Sequence, residues 1–205
     1  MNGAAAPARR VGVFGGAFDP PHLAHDALAR AAVAQLQLDE LRIVPTGQAW
    51  HKSRALTATA HRLEMTRIAF ADVPGAMVDP RETLRRGPSY TVDTLQELSV
   101  ELANAQLFLI IGQDQARALN TWHCWQRIVE LATICVAARA GIARAEGILN
   151  AISLGSKPWK VIDLPPMDVS ATDIRQRVAS HQSVAPLVFE PVARYIALHH
   201  LYQTA

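Results

Sequence analysis

Short continuous apolar runs alternate with longer segments in which apolar positions recur every three or four residues. The runs are residues 11–14 (VGVF), 41–45 (LRIVP), 77–78 (MV), 107–111 (LFLII), 132–137 (ATICVA) and 161–164 (VIDL). They are too short for helices and lack the polar alternation of a half-exposed strand, so they read as strands buried on both faces. The segments with helical spacing are residues 23–36, 61–70, 91–102, a stretch holding Trp122 and Trp125, 170–178 and 190–201. In residues 91–102, Val92, Leu95, Leu98 and Leu102 share one face, the mark of an amphipathic helix. Strands alternating with helices predict an α/β domain with a parallel sheet and right-handed crossovers.

The unusual segments all follow predicted strands, where open parallel sheets bind ligands. Residues 15–25 read GGAFDPPHLAH and sit between the first strand and an alanine-rich helix. Consecutive glycines let backbone approach an anion, and the first turn of the helix offers unpaired N–H groups with the positive end of a dipole. His22 and His25, three apart, share a face of that helix start and can aim imidazoles at phosphates. Asp19 is a candidate cap for the helix and Ser89 for the one beginning near Thr91. Residues 48–59, with Trp50, His51 and Lys52, read as a loop after the second strand, and residues 81–86 as a charged surface connector. Gly112, Gln113 and Asp114 close the fourth strand, and residues 170–175 (SATDIR) open a helix after the last.

Composition narrows the function classes. A length of 205 residues, half of them hydrophobic, suits one sizeable domain spanning 1–205, with residues 1–9 as a flexible lead-in. A formal charge of +2, dispersed along the chain, argues against nucleic acid as the partner and for a small anionic substrate. Cys124 and Cys135 are too few for a disulfide framework and lack zinc-site spacing, so both read as semi-buried thiols in a reducing compartment. With no apolar run of membrane-spanning length and no secretory signal, a soluble cytoplasmic protein is expected. Oligomeric state, including a homo-oligomer, stays open.

Taken together, the segments carry a family resemblance. GGAFDPPHLAH closely resembles the GG(T/S)FDPxHxGH signature of bacterial nicotinate-nucleotide adenylyltransferases, members of the HxGH nucleotidyltransferase superfamily. Trp50-His51-Lys52 resembles that family's PHK or PHR loop, residues 89–95 (SYTVDTL) its SYTxxTL segment, residues 110–114 (IIGQD) its IIGxD strand end, and residues 170–175 its IS(S/A)TxIR motif. Trp122 and Arg139 fall where the family has a tryptophan and the arginine of an RPG turn. These matches span nearly the whole chain, in the family's order.

The resemblance implies a Rossmann-like doubly wound parallel sheet with C-terminal helices, and a reaction in which nicotinate mononucleotide and ATP give nicotinate adenine dinucleotide and pyrophosphate. The acceptor phosphate is already a competent nucleophile, so positioning and charge stabilisation suffice, without a covalent enzyme intermediate. It further implies that Gly15, Gly16, Ala17, Phe18, His22, His25, Gly112, Asp114, Ser170, Thr172 and Arg175 bind ATP, with His22, His25, Lys52 and Arg175 catalytic. A histidine in this role acts most strongly when at least partly protonated, which nearby phosphates favour. On the acceptor side, Trp122 would stack on the pyridine ring, main-chain N–H groups near Thr91 and His123 would take its carboxylate, and Tyr90 would support that wall. Asp114 would accept from a ribose, and Arg139 would flank the adenosine. Trp125 reads as core. Mg²⁺ is implied with ATP, held by phosphates and water rather than by the protein.

Three residues depart from the family pattern. Ala17 replaces a hydroxyl residue, Ala24 the glycine of HxGH, and Ala140 the proline of the RPG turn. The rival readings are adenylyl transfer to nicotinamide mononucleotide, a phosphopantetheine adenylyltransferase, and a non-catalytic nucleotide-binding regulator. The SYT and IIGxD segments weigh against the first two, and retention of both histidines and Arg175 against the third.

Overall fold

The computed structural model describes residues 7–47, 55–139 and 159–203. All six predicted strands are present: β1 (Arg9–Gly16), β2 (Glu40–Pro45), β3 (Ala76–Val78), β4 (Ala105–Gly112), β5 (Ala132–Arg139) and β6 (Trp159–Leu164). They form one sheet in the order β3-β2-β1-β4-β5-β6, and every neighbouring pair is parallel. This is an α/β, Rossmann-like arrangement in which the strand order reverses at β1 and β4. The register sets Gly16 beside Pro45, Gly112 beside Ala137 and Arg139 beside Leu164, so the segments singled out in the sequence leave from one edge.

The flanking helices are α1 (Leu23–Leu36), α2 (Thr59–Phe70), α3 (Arg81–Leu84), α4 (Thr91–Glu101), α5 (Gln113–Arg117), α6 (Trp125–Leu131), α7 (Ala171–Ala179) and α8 (Glu190–Leu198). Alternation along the strands divides the core between the two faces of the sheet. Phe14, Phe108 and Ile110 pack with α1, α2, α7 and α8, while Val11, Val13, Leu107, Leu109 and Ile111 pack with α4 and α6. Gly12 keeps the first layer thin, because a Cβ there would lie 2.5 Å from Leu38 Cδ1 and 2.7 Å from Leu41 Cδ1. No helix of the described residues is long and apolar enough to cross a membrane.

Several local expectations are corrected. The helix expected around the two tryptophans is broken into α5, a 3₁₀ turn (Leu119–Thr121) and α6, with Ala118 between the first two and an extended Trp122 and a left-handed Cys124, φ 50°, before the third. Cys124 is exposed and only Cys135 is buried. Trp125 is half-buried at the margin of the α4/α6 core. The charged connector of residues 81–86 includes the short helix α3 and is tied to the fold by ion pairs. Arg81 bonds Asp79 at 2.6 Å and Glu101 at 2.7 Å, Arg85 bonds Glu97 at 2.7 Å, and Glu82 is buried against the Thr94 hydroxyl at 2.8 Å. Ser89 donates to the Glu82 carbonyl at 3.4 Å, and Tyr90 occupies the N-cap of α4. Asp19 does not cap α1 either; His22 holds that position.

Candidate active site

β1 ends at Gly16, where a Cβ would meet the Phe18 ring at 2.9 Å, so only glycine lets the following turn fold back over the strand. Phe18 takes a φ of 45° and is buried edge-on between Phe14 and Phe70, at 5.5 and 5.4 Å. That aromatic wedge anchors the turn, and Asp19–Pro20 within it is a cis peptide. His22 then starts α1. Its backbone N–H donates to His25 Nδ1 at 3.2 Å, and the two imidazoles stack with centroids 3.6 Å apart. Phe18 lies edge-on to His25 at 5.1 Å.

His22 is 9% exposed, and burial pulls its pKa down to about 4. In the ligand-free protein the imidazole is neutral at physiological pH, because a charge here would lose its hydration without a facing anion; the expected partial protonation concerns the site with phosphates beside it. Its Nδ1 is buried and has no hydrogen-bond partner among the described residues, which suits an atom aimed at a ligand.

Asp19, 3% exposed, joins four parts of the chain. Its Oδ1 accepts from the Tyr202 hydroxyl at 2.8 Å, its Oδ2 from the Thr57 N–H at 3.2 Å, and its carbonyl from Arg175 Nη1 at 2.8 Å. Arg62, 1% exposed, fixes the same region from below. It donates to the carbonyls of Ala17 at 2.9 Å, Thr57 at 3.0 Å and Gly47 at 3.3 Å. On α7, Ser170 Oγ accepts from the Asp173 N–H at 3.1 Å as N-cap, and Arg175 Nη2 donates to Thr172 Oγ1 at 3.0 Å. Arg175 therefore spans from its own helix to the signature turn, and the two predicted anion sites are one structure.

Beside them opens a cavity of about 340 Å³. His22, Ala24, His25, Gly112, Gln113 and Asp114 form its polar side. Leu28, Ala137, Leu164, Pro165, Met167 and Val169 form an apolar side of the kind a nucleobase fills. Asp114 is almost fully exposed and ion-paired with Arg117 at 3.0 Å. The Tyr90 and His123 rings lie 4.5 Å apart, Thr91 is the first residue of α4, and Trp122 is half-buried beside that helix. Lys52 lies outside the described residues. Arg139 ends β5 and its side chain also lies outside them. Among the described residues, no three His, Cys, Asp or Glu side chains cluster as metal ligands.

Sequence reasoning missed Arg62, Tyr202, Gln113 and the apolar wall after β6. Arg62 carried a signal, since it stands on the repeat of Met65, Thr66, Ala69 and Phe70, the buried face of α2. The wall had one in the chain break at Pro165-Pro166. Gln113, whose Nε2 is buried without a partner among the described residues, stood in the segment singled out after the fourth strand but was assigned no role of its own.

The cytidylyltransferase-like family matches residues 13–177. A protein of Albidiferax ferrireducens named probable nicotinate-nucleotide adenylyltransferase is 58% identical over 197 residues, covering 96% of this chain and 100% of its own. One of the same name from Methylibium petroleiphilum is 43% identical over 202 residues, covering 97% and 94%. Among solved structures, the Plasmodium falciparum nicotinic acid mononucleotide adenylyltransferase complexed with NaAD superposes with a TM-score of 0.76 over 95% of this chain and 97% of that one. At 18% identity, that likeness bears on the fold.

Proposed function

The chain belongs to the nicotinate-nucleotide adenylyltransferase family, within the cytidylyltransferase-like proteins, and we propose how its residues carry out the family reaction. It is a nucleotidyltransferase of NAD biosynthesis that moves the adenylyl group of ATP to nicotinate mononucleotide, releasing pyrophosphate. The observation that carries the residue assignment is the meeting of the signature turn and Arg175 at the Asp19 carbonyl, on the turn whose His22 and His25 line the cavity.

The acceptor phosphate attacks the α-phosphorus of ATP in line, and pyrophosphate leaves from the opposite side. His25, whose Nδ1 accepts the His22 N–H, presents Nε2–H to the ATP phosphates, and His22 presents its unpartnered Nδ1 edge beside it. Arg175, with Thr172 and Ser170 at the start of α7, takes the β- and γ-phosphates. Gly15, Gly16, Ala17 and Phe18 bring backbone close to the triphosphate. Lys52 bridges the two substrates' phosphates. Gly112 and Asp114 face the ribose, and Arg139 flanks the adenosine. Trp122 and Tyr90 enclose the pyridine ring, and N–H groups at Thr91 and His123 receive its carboxylate. Mg²⁺ arriving with ATP would be held mainly by the phosphates and water, with little ligation from the protein, and would supply neutralisation of the phosphate charge.

Incubation with ATP, Mg²⁺ and nicotinate mononucleotide should yield equal amounts of pyrophosphate and dinucleotide, with nicotinamide mononucleotide a poorer acceptor. ATP binding without product from either acceptor would reduce the protein to a nucleotide-binding regulator. Preference for the amide would overturn the substrate assignment.

A further inference from the structure

Tyr202 lies after α8, far in sequence from every motif of the site, yet its hydroxyl reaches Asp19 Oδ1 at 2.8 Å. The chain takes an uncommon path to bring it there. His200 and Tyr202 both adopt left-handed φ values, 50° and 64°, which are outliers for bulky residues and persist only where surrounding contacts hold them. Asp19 is buried, so its carboxylate must be fully hydrogen-bonded, and Tyr202 and Thr57 supply a donor to each oxygen. Burial and the facing carboxylate push the phenol far above its ordinary pKa, so it remains a donor at every physiological pH.

The other end of Asp19 is its carbonyl, which holds Arg175 Nη1 at 2.8 Å. A rotation of residue 19 therefore moves Arg175 and the turn leading to His22 together. On the reading that Arg175 binds the triphosphate, we propose that Tyr202 is a positioning residue for ATP, acting through Asp19 on Arg175. The Tyr202 side chain also hydrogen-bonds Thr57 directly, and the Thr57 N–H donates to the second carboxylate oxygen of Asp19 at 3.2 Å, which closes the joint. Tyr202 touches neither substrate. It sets the angle at which the two anion-binding segments face each other.

The test is a double-mutant cycle on ATP affinity, measured by titration calorimetry, with Tyr202→Phe and Arg175→Ala made singly and together. Tyr202→Phe keeps the ring and removes one hydroxyl, and a melting curve fixes a temperature at which all four proteins are folded. In the parent background Tyr202→Phe should weaken ATP binding roughly fivefold, and in the Arg175→Ala background less than twofold, because the residue acts through that arginine. In turnover, KM for ATP should rise while KM for nicotinate mononucleotide stays unchanged. Equal losses in the two backgrounds, or no loss in either, would overturn the proposal. Product formation by the unsubstituted protein is read separately, so failure of the family reaction and failure of the Tyr202 role are told apart.

Discussion

The backbone N–H of His22 donates to Nδ1 of His25 at 3.2 Å. An acceptor nitrogen carries no proton, so neutral His25 is protonated on Nε2. The fold thus selects the tautomer before substrate arrives. Removing the donor with His25→Ala should lower kcat by about 10²–10³-fold, the usual cost of losing one preorganised donor to a developing charge. Far-UV circular dichroism should be unchanged. Wild-type turnover in that variant would remove His25 from the chemistry.

The burial of His22 makes stability depend on pH. Its folded pKa, about 4, lies below the 6.5 of an unfolded chain, so between those values the unfolded state binds a proton that the folded state does not. This contribution is complete above pH 6.5 and is lost as pH falls toward 4, by about 2 kcal/mol between pH 7.5 and pH 5. Urea unfolding at the two pH values should show that loss, and His22→Gln should show less of it. Equal losses in the two proteins would mean that His22 is hydrated and chargeable in the folded state.

Much of this site was legible in the sequence, for a physical reason. Gly16, Phe18, His22 and His25 are neighbours in the chain, and a strand followed by a glycine turn and a helix start already brings them together in one turn. The order of apolar runs likewise predicts six strands, and six are present. Joints made across the chain were not legible. Nothing local to Asp19 announces Tyr202 or Arg175 as its partners, 183 and 156 residues away, and the spacing pointed instead to a helix cap. The break was hidden because the spacing of Trp122 and Trp125 suits a helix, while the extended Trp122 and left-handed Cys124 that interrupt it carry no local signal.

Arg62 is a guanidinium placed wholly inside the protein to satisfy three carbonyls. Arg62→Ala would take the guanidinium from those three oxygens and leave a void where it was buried, at about 3–5 kcal/mol. For a chain of this size that corresponds to a melting temperature lower by about 10 °C, measurable by scanning fluorimetry. A fall within about 2 °C would show that water replaces the guanidinium freely.

Gly47 is tightly enclosed where the chain leaves β2. A Cβ there would lie 2.0 Å from the Glu82 carbonyl oxygen, which is backbone and cannot swing away. Gly47→Ala should destabilise the protein by about 2 kcal/mol or more, through displacement of α3 from its place beside β2. Chemical denaturation reads this directly, and an unchanged midpoint would mean that α3 shifts at no cost.

The central claim is that the protein brings two polyanions into line and takes no covalent part in the transfer. The stereochemical course at the α-phosphorus tests it, using one diastereomer of ATP carrying sulfur at that phosphorus and nicotinate mononucleotide as acceptor. Direct attack predicts inversion of configuration in the dinucleotide product. Retention would require two displacements through a bond to the enzyme and would contradict the account.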